Sequence, residues 1–251
     1  MKRQFATICL ALASVAVTPV VAGASKVATP AAAGASSIES GIRVAITPLL
    51  DGAEIEKITR SPHAGLYEVL TTRGMLYTDK KAEFVIFDAT IVDTKSKTNL
   101  TTRRIDELVR FSFADLPLGD AIKTVRGNGS RVIATFEDPN CGYCKKLIAE
   151  LDKVDNVTVY TFLTPILSPD SSEKSKAIWC SADRSKAWIG FMSNTGPLPA
   201  ATECNTPIAR NLALYRKLHI TGTPALFYQS NRKVLGYVPA AKINEALAAR
   251  P

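Results

Sequence analysis

From residue 38 the spacing of apolar and polar positions changes period several times, and each change marks a predicted element. Residues 38–46 have the pattern of a short amphipathic helix. Four runs of strand character follow, at 54–59, 66–71, 75–78 and 84–93, with Thr72-Arg73-Gly74 as a hairpin turn between the second and third. A unit this small buries little apolar surface. Unless a helix covers them, its outer strands leave backbone groups that invite pairing with a second copy.

Over 101–116, Ile105, Leu108, Val109 and Phe113 take the i, i+3, i+4, i+8 positions of one helical face, and Pro117 ends the run. A shorter helical piece is expected at 120–125, before Gly127-Asn128-Gly129 breaks the chain. Residues 101–129 therefore read as a helical linker. Beyond Ser130 the predicted order is strand 131–136, helix 141–151, strand 157–162, a helical region over 171–218, strands 225–229 and 233–237 around a Ser230-Asn231 turn, and helix 240–249. That order gives a sheet with helices on both faces and an all-helical insertion.

Composition changes the picture mainly at the start of the chain. Lys2-Arg3, an apolar run over 5–17 and the small residues Ala22-Gly23-Ala24 form an export signal, cleaved after residue 24. A retained anchor is the alternative, disfavoured because the run is short and Pro19 interrupts its end. Residues 25–37, rich in Ala, Ser and Gly, are expected to be a flexible lead-in. Cleavage leaves 227 of 251 residues and removes Cys9, so four cysteines remain, an even number that suits an oxidising compartment. The formal net charge of +8 falls to +6, with Lys and Arg scattered among acids, which speaks against a nucleic-acid surface.

The chemistry concentrates in Cys141-Gly142-Tyr143-Cys144, between a predicted strand and a predicted helix, after the turn residues Asp138-Pro139-Asn140. Backbone N–H groups and the positive end of the helix dipole favour a thiolate there, moving a cysteine from about 8.5 into the range of about 3.5–7.5. Lys145 and Lys146 in the first turn are expected to add positive potential. Cys144, one turn further in, is placed to resolve an adduct formed at Cys141. Such a dithiol can oxidise, reduce or isomerise. Tyr143 is expected at the rim, touching substrate, and Gly142 to allow close approach. His63 and His219 belong to no metal-ligand pattern, and no cofactor is implied. Trp179, Trp188 and Tyr215 have the spacing of core residues.

These motifs in this order resemble the thioredoxin fold, and the chain as a whole resembles the periplasmic disulfide isomerase family typified by DsbC. Residues 138–146 are similar to that family's active-site run, Ala177-Ile178-Trp179-Cys180-Ser181-Ala182 to its second-cysteine segment, Thr221-Gly222-Thr223-Pro224-Ala225 to its cis-proline loop, and 65–104 to its N-terminal dimerisation domain. The implied fold is an α+β dimerisation domain at 38–100, joined by the helical linker to a thioredoxin-fold α/β domain at 130–251. The resemblance implies a cis bond before Pro224, with the backbone of Thr223 pairing an extended substrate. It further implies a homodimer with two thiolates across an apolar cleft, chaperone activity, misoxidised exported proteins as substrates, and a membrane-bound thiol reductase of the DsbD type as electron donor. A periplasmic oxidase, a DsbG-like reductase and a non-redox assembly factor are the alternatives.

Cys180 and Cys204 lie 24 residues apart around the helical insertion and are read as a structural disulfide, since a zinc site would want a second closely spaced pair. One departure from the wider superfamily stands out. Many members carry a buried carboxylate six residues before the first cysteine, where this chain has Thr135. The mechanism is therefore not expected to lean on a buried acid, although Glu137 shares the strand face of Thr135.

Overall fold

The structure, a computed structural model, describes residues 30–200 and 203–249. The expected export signal lies outside the described residues. Helix α1 (Pro30–Ile46) starts well inside the stretch expected to be a flexible lead-in. An alanine-rich run behind a proline explains this. Alanine has the best helix propensity, and proline at the first position gives up an N–H that the helix would leave unpaired.

Strands β1 (Ile55–Arg60), β2 (Tyr67–Thr71), β3 (Gly74–Thr78) and β4 (Val85–Ile86) form an antiparallel sheet in that order. The β2–β3 turn is tight, with Thr71 opposite Gly74, whose φ of +132° is backbone that other residues rarely adopt. The fourth run shrinks to the two residues of β4. The rest of 84–93 is irregular apart from a single bridge from Val92 to Asn99.

Alternation along β2 and β3 gives each face its own partner. Val69 and Leu76 pack with Ile42 and Ile46 of α1, while Leu70, Met75 and Tyr77 meet Ile105 of α2 (Leu100–Leu108). Asn99 caps α2 by accepting the Thr102 N–H at 2.9 Å. On the same face the buried Glu68 carboxylate takes hydrogen bonds from Arg104 at 2.8 Å and Thr59 at 3.0 Å.

Two elements of the expected linker differ. Helix α2 stops at Leu108 because Phe111 and Phe113 leave the helical path to join the second domain. Phe111 meets Phe227 edge-on at 4.8 Å between ring centroids, and the Phe113 N–H donates to Asn231 Oδ1 at 2.8 Å. Residues 120–125 do not form the expected helix: β5 (Ile122–Arg126) runs antiparallel to β7 (Val157–Leu163) at the edge of the second sheet. The run is too short for its periodicity to separate strand from helix, and sheet pairing decides it.

The second sheet has the order β5-β7-β6-β8-β9, with β6 (Arg131–Glu137) parallel to β7 (Val157–Leu163) and antiparallel to β8 (Ala225–Tyr228), which pairs β9 (Lys233–Leu235). Ile133, Val159 and Leu226 on one face pack with α3 (Gly142–Leu151), α5 (Arg184–Met192) and α7 (Ala240–Ala248). Ala134, Phe136, Phe162 and Phe227 on the other pack with α6 (Ile208–Lys217) and the 111–121 segment. Helices α4 (Pro169–Trp179), α5 and α6 form the insertion. Cys180 and Cys204 are disulfide-bonded, tying the end of α4 to the approach to α6. A closed loop of this length is worth about 3 kcal/mol on the chain-entropy account. The result is an α+β N-terminal domain followed by a thioredoxin-like α/β domain.

Candidate active site

Strand β6 delivers the chain into the Asp138-Pro139-Asn140 turn, and Cys141 follows as the N-cap of α3 in extended backbone (φ −76°, ψ 114°). Its sulfur takes the role usually filled by a serine or aspartate oxygen, accepting the Cys144 N–H at 3.2 Å. From the other side the Thr223 carbonyl lies 3.2 Å from Cys141 Sγ, in hydrogen-bonding position for the thiol, and the Thr223-Pro224 peptide bond is cis. Tertiary structure thus brings together residues 82 positions apart.

The two thiols are electrostatically unequal. Hydrogen bonding from Cys144 chiefly, aided by the N–H groups of Cys144 and Tyr143, outweighs the cost of burial and lowers Cys141 to about 6. Cys144 is fully buried; desolvation above all, then its contact with Cys141 and the charge of Glu137, raises it strongly. Near neutral pH the site therefore holds Cys141 as thiolate and Cys144 as thiol. Of the neighbouring lysines, Lys146 lies over the Tyr143 ring at 5.0 Å and Lys145 over Phe191 at 5.5 Å.

Tyr143 is 60% exposed beside the sulfur. A methyl group added at Gly142 would meet no protein atom, so nothing inside the chain requires glycine there. His219 is buried and its Nε2 lies 2.8 Å from Glu56 Oε2 of the N-terminal domain. Trp179, Trp188 and Tyr215 are all buried.

The expectation of a site without a buried acid is corrected. Glu137 is fully buried, on the β6 face that also carries Ile133 and Thr135 and that packs against the layer holding both thiols. Its Oε1 accepts the Thr135 hydroxyl at 2.7 Å, and Oε2 has no hydrogen-bond partner. Desolvation raises it to about 8 against the Thr135 hydrogen bond, with the charge on Cys141 adding to the rise. Period-two alternation from Ile133 was the signal for its orientation; the depth of burial came only with the helices stacked on that face.

A sheet of this order with a cis-proline loop against an N-capping cysteine defines the class of thioredoxin-like dithiol oxidoreductases. A family described as disulfide bond isomerase protein N-terminal domain matches residues 25–102, and one described as thioredoxin-like domain matches 118–250. A probable thiol:disulfide interchange protein DsbC of Bordetella pertussis is 43% identical over 197 residues, covering 78% of this chain and 70% of that protein. DsbC of Escherichia coli K12 is 29% identical over 201 residues, covering 78% and 82%. The crystal structure of a disulfide interchange protein from Neisseria gonorrhoeae superposes with a TM-score of 0.50 at 38% identity, over 53% of this chain and 96% of that one. The chain belongs to the DsbC family of thiol:disulfide interchange proteins, with the activity of a disulfide isomerase or oxidoreductase.

Two measurements check these electrostatics. Thiolate absorbance near 240 nm in the reduced protein is expected to rise with a midpoint near pH 6; the step disappears in Cys141→Ala, whereas a step that persists there contradicts the assignment. Glu137 binds its proton more tightly folded than unfolded, so below about pH 4.5 it has no effect and stability declines as pH rises toward about 8. Glu137→Gln removes that decline. Its advantage over the unsubstituted protein in denaturant unfolding is expected to grow by a few kcal/mol across this window; parallel pH curves refute the assignment.

Proposed function

We propose that the protein is a homodimeric periplasmic disulfide isomerase acting on misoxidised exported proteins. The observation that carries this reading is the inequality of the two thiols, an attacking group beside Thr223 and a protonated partner buried behind it. The Cys141 thiolate attacks one sulfur of a wrong substrate disulfide; a Cys141–substrate disulfide forms, and the other substrate sulfur leaves as thiolate. A second substrate thiolate then attacks the sulfur bonded to Cys141, forming the new substrate disulfide and returning Cys141 as thiolate. No electrons are lost in that cycle.

When no second thiol arrives, Cys144 gives up its proton and attacks Cys141, so the substrate leaves reduced and the enzyme oxidised. Once Cys141 is in the mixed disulfide its charge no longer adds to the hold on the Glu137 proton, and the fraction of Glu137 that is ionised, without a partner on Oε2, takes up the Cys144 proton. Two electrons from a membrane thiol reductase of the DsbD type restore the dithiol. The backbone of Thr223 before cis-Pro224 pairs with an extended substrate strand, and Tyr143 and Gly142 form the rim across which it lies. The Cys180–Cys204 bond is structural.

The homodimer reading is supported by the N-terminal sheet. Its outer strand β4 is short, and Ile86 within it and Phe84 and Phe87 flanking it are 38–48% exposed, an apolar edge suited to a second copy. The cleft between two such protomers would hold unfolded chains and so supply chaperone activity.

Refolding of a scrambled-disulfide substrate is expected to accelerate at least tenfold with catalytic amounts of reduced protein. That gain vanishes in Cys141→Ala, while Cys144→Ala accumulates enzyme–substrate mixed disulfide; acceleration surviving Cys141→Ala would sink the assignment. Light scattering of the protein lacking residues 1–24 is expected to give twice the chain mass at micromolar concentration, and a monomer there refutes the dimer.

A further inference from the structure

The loop between β7 and α4 exposes two apolar side chains beside the dithiol turn: Ile166 is 38% and Leu167 54% exposed. A buried carboxylate holds this loop in place. Asp138 Oδ2 accepts the N–H groups of Ile166 at 2.7 Å and Leu167 at 3.0 Å, while Oδ1 accepts the Asn140 N–H at 2.7 Å and the Ser171 hydroxyl at 2.8 Å. The Asp138 carbonyl also accepts the N–H of Cys141 at 3.0 Å. Asn140, which immediately precedes Cys141, donates its amide to Ser168 at 2.7 Å, and Lys174 Nζ lies 2.6 Å from its Oδ1. A carboxyl group removed from water is tolerated where donors surround it, and here three of the four donors, the Ile166 and Leu167 amides and the Ser171 hydroxyl, join the dithiol turn to the 166–171 segment.

We propose that Ile166 and Leu167 form an apolar lip that receives an apolar side chain next to the substrate cysteine, and that Asp138 is the positioning residue holding the lip beside Cys141. This rests on the reading of Cys141 as the attacking thiol. The lip is tied through Asp138 and Asn140 to the turn that presents Cys141, and Tyr143, two residues past that cysteine, is itself 60% exposed. The consequence is selectivity. A misoxidised polypeptide exposes leucine, valine and phenylalanine that its native fold would bury, so the lip favours disulfides in unfolded chains over those in finished proteins.

The test uses the full reduced protein and three disulfides: a short peptide whose single cysteine is flanked by leucines and joined to glutathione, the same peptide with serine flanks, and glutathione disulfide. Partial burial of one leucine corresponds to roughly a tenfold preference for the first peptide over the second. Ile166→Ser/Leu167→Ser is expected to bring that preference within about twofold while leaving the glutathione disulfide rate and the 240 nm titration of Cys141 unchanged. Equal rates for both peptides in the unsubstituted protein, a preference that survives the double substitution, or a fall in all three rates together overturns the lip. Reaction with glutathione disulfide that persists in Cys141→Ala overturns the attacking-thiol reading itself. Asp138→Asn turns one oxygen acceptor into a donor facing donors. It is expected to speed hydrogen exchange at the Ile166 and Leu167 amides and to weaken the peptide preference; unchanged protection there refutes the positioning role.

Discussion

The structure turns on the Cys141 sulfur, which must cap a helix and meet a loop from the far end of the domain at once. Capping is local: extended backbone at Cys141 and three helical residues after it bring the Cys144 N–H to the sulfur. The second contact is long-range. Thr223 reaches the sulfur only because β8 lies beside β6, so that the loop entering β8 ends where the loop leaving β6 begins. Sheet register, helix start and cis-proline loop are thus constraints on one atom, and the donors at the helix start lower its pKa.

The acids just upstream show how environment assigns roles to similar side chains. Glu137 and Asp138 are adjacent, and both are fully buried. On the β6 face that packs against the thiol layer, Glu137 finds one hydroxyl and no cation, so burial favours its neutral form. Asp138, one residue on and past the strand end, faces two loop amides, a turn amide and a serine hydroxyl. Proton handling is available to the first and architecture to the second.

The same logic joins the two domains. Lys233 on β9 is nearly buried and bonds Asp106 of α2 at 2.6 Å. Glu56 sits at a register shift in β1, where a bulge re-aims its carboxylate toward His219, just upstream of the cis-proline loop. With Phe111 and Phe113 drawn onto the catalytic sheet, the segment after α2 is built into the second domain rather than trailing between the two.

What could be read in the sequence was whatever local spacing determines. The period-two and period-3.6 runs located β6, α3, β7, β8 and α7 to within a residue or two. Two cysteines three positions apart at a strand–helix junction defined the dithiol, because capping and dipole effects act within one turn. Residues 120–125 and the end of α2 were misread because the competing patterns there are equally short, and pairing with β7 or stacking on Phe227 decides between them. The burial of Glu137, the donors around Asp138 and the contact of Thr223 with Cys141 were settled only in the tertiary structure. Each depends on chain segments between 26 and 82 residues away, whose approach sets the local dielectric and the available hydrogen bonds.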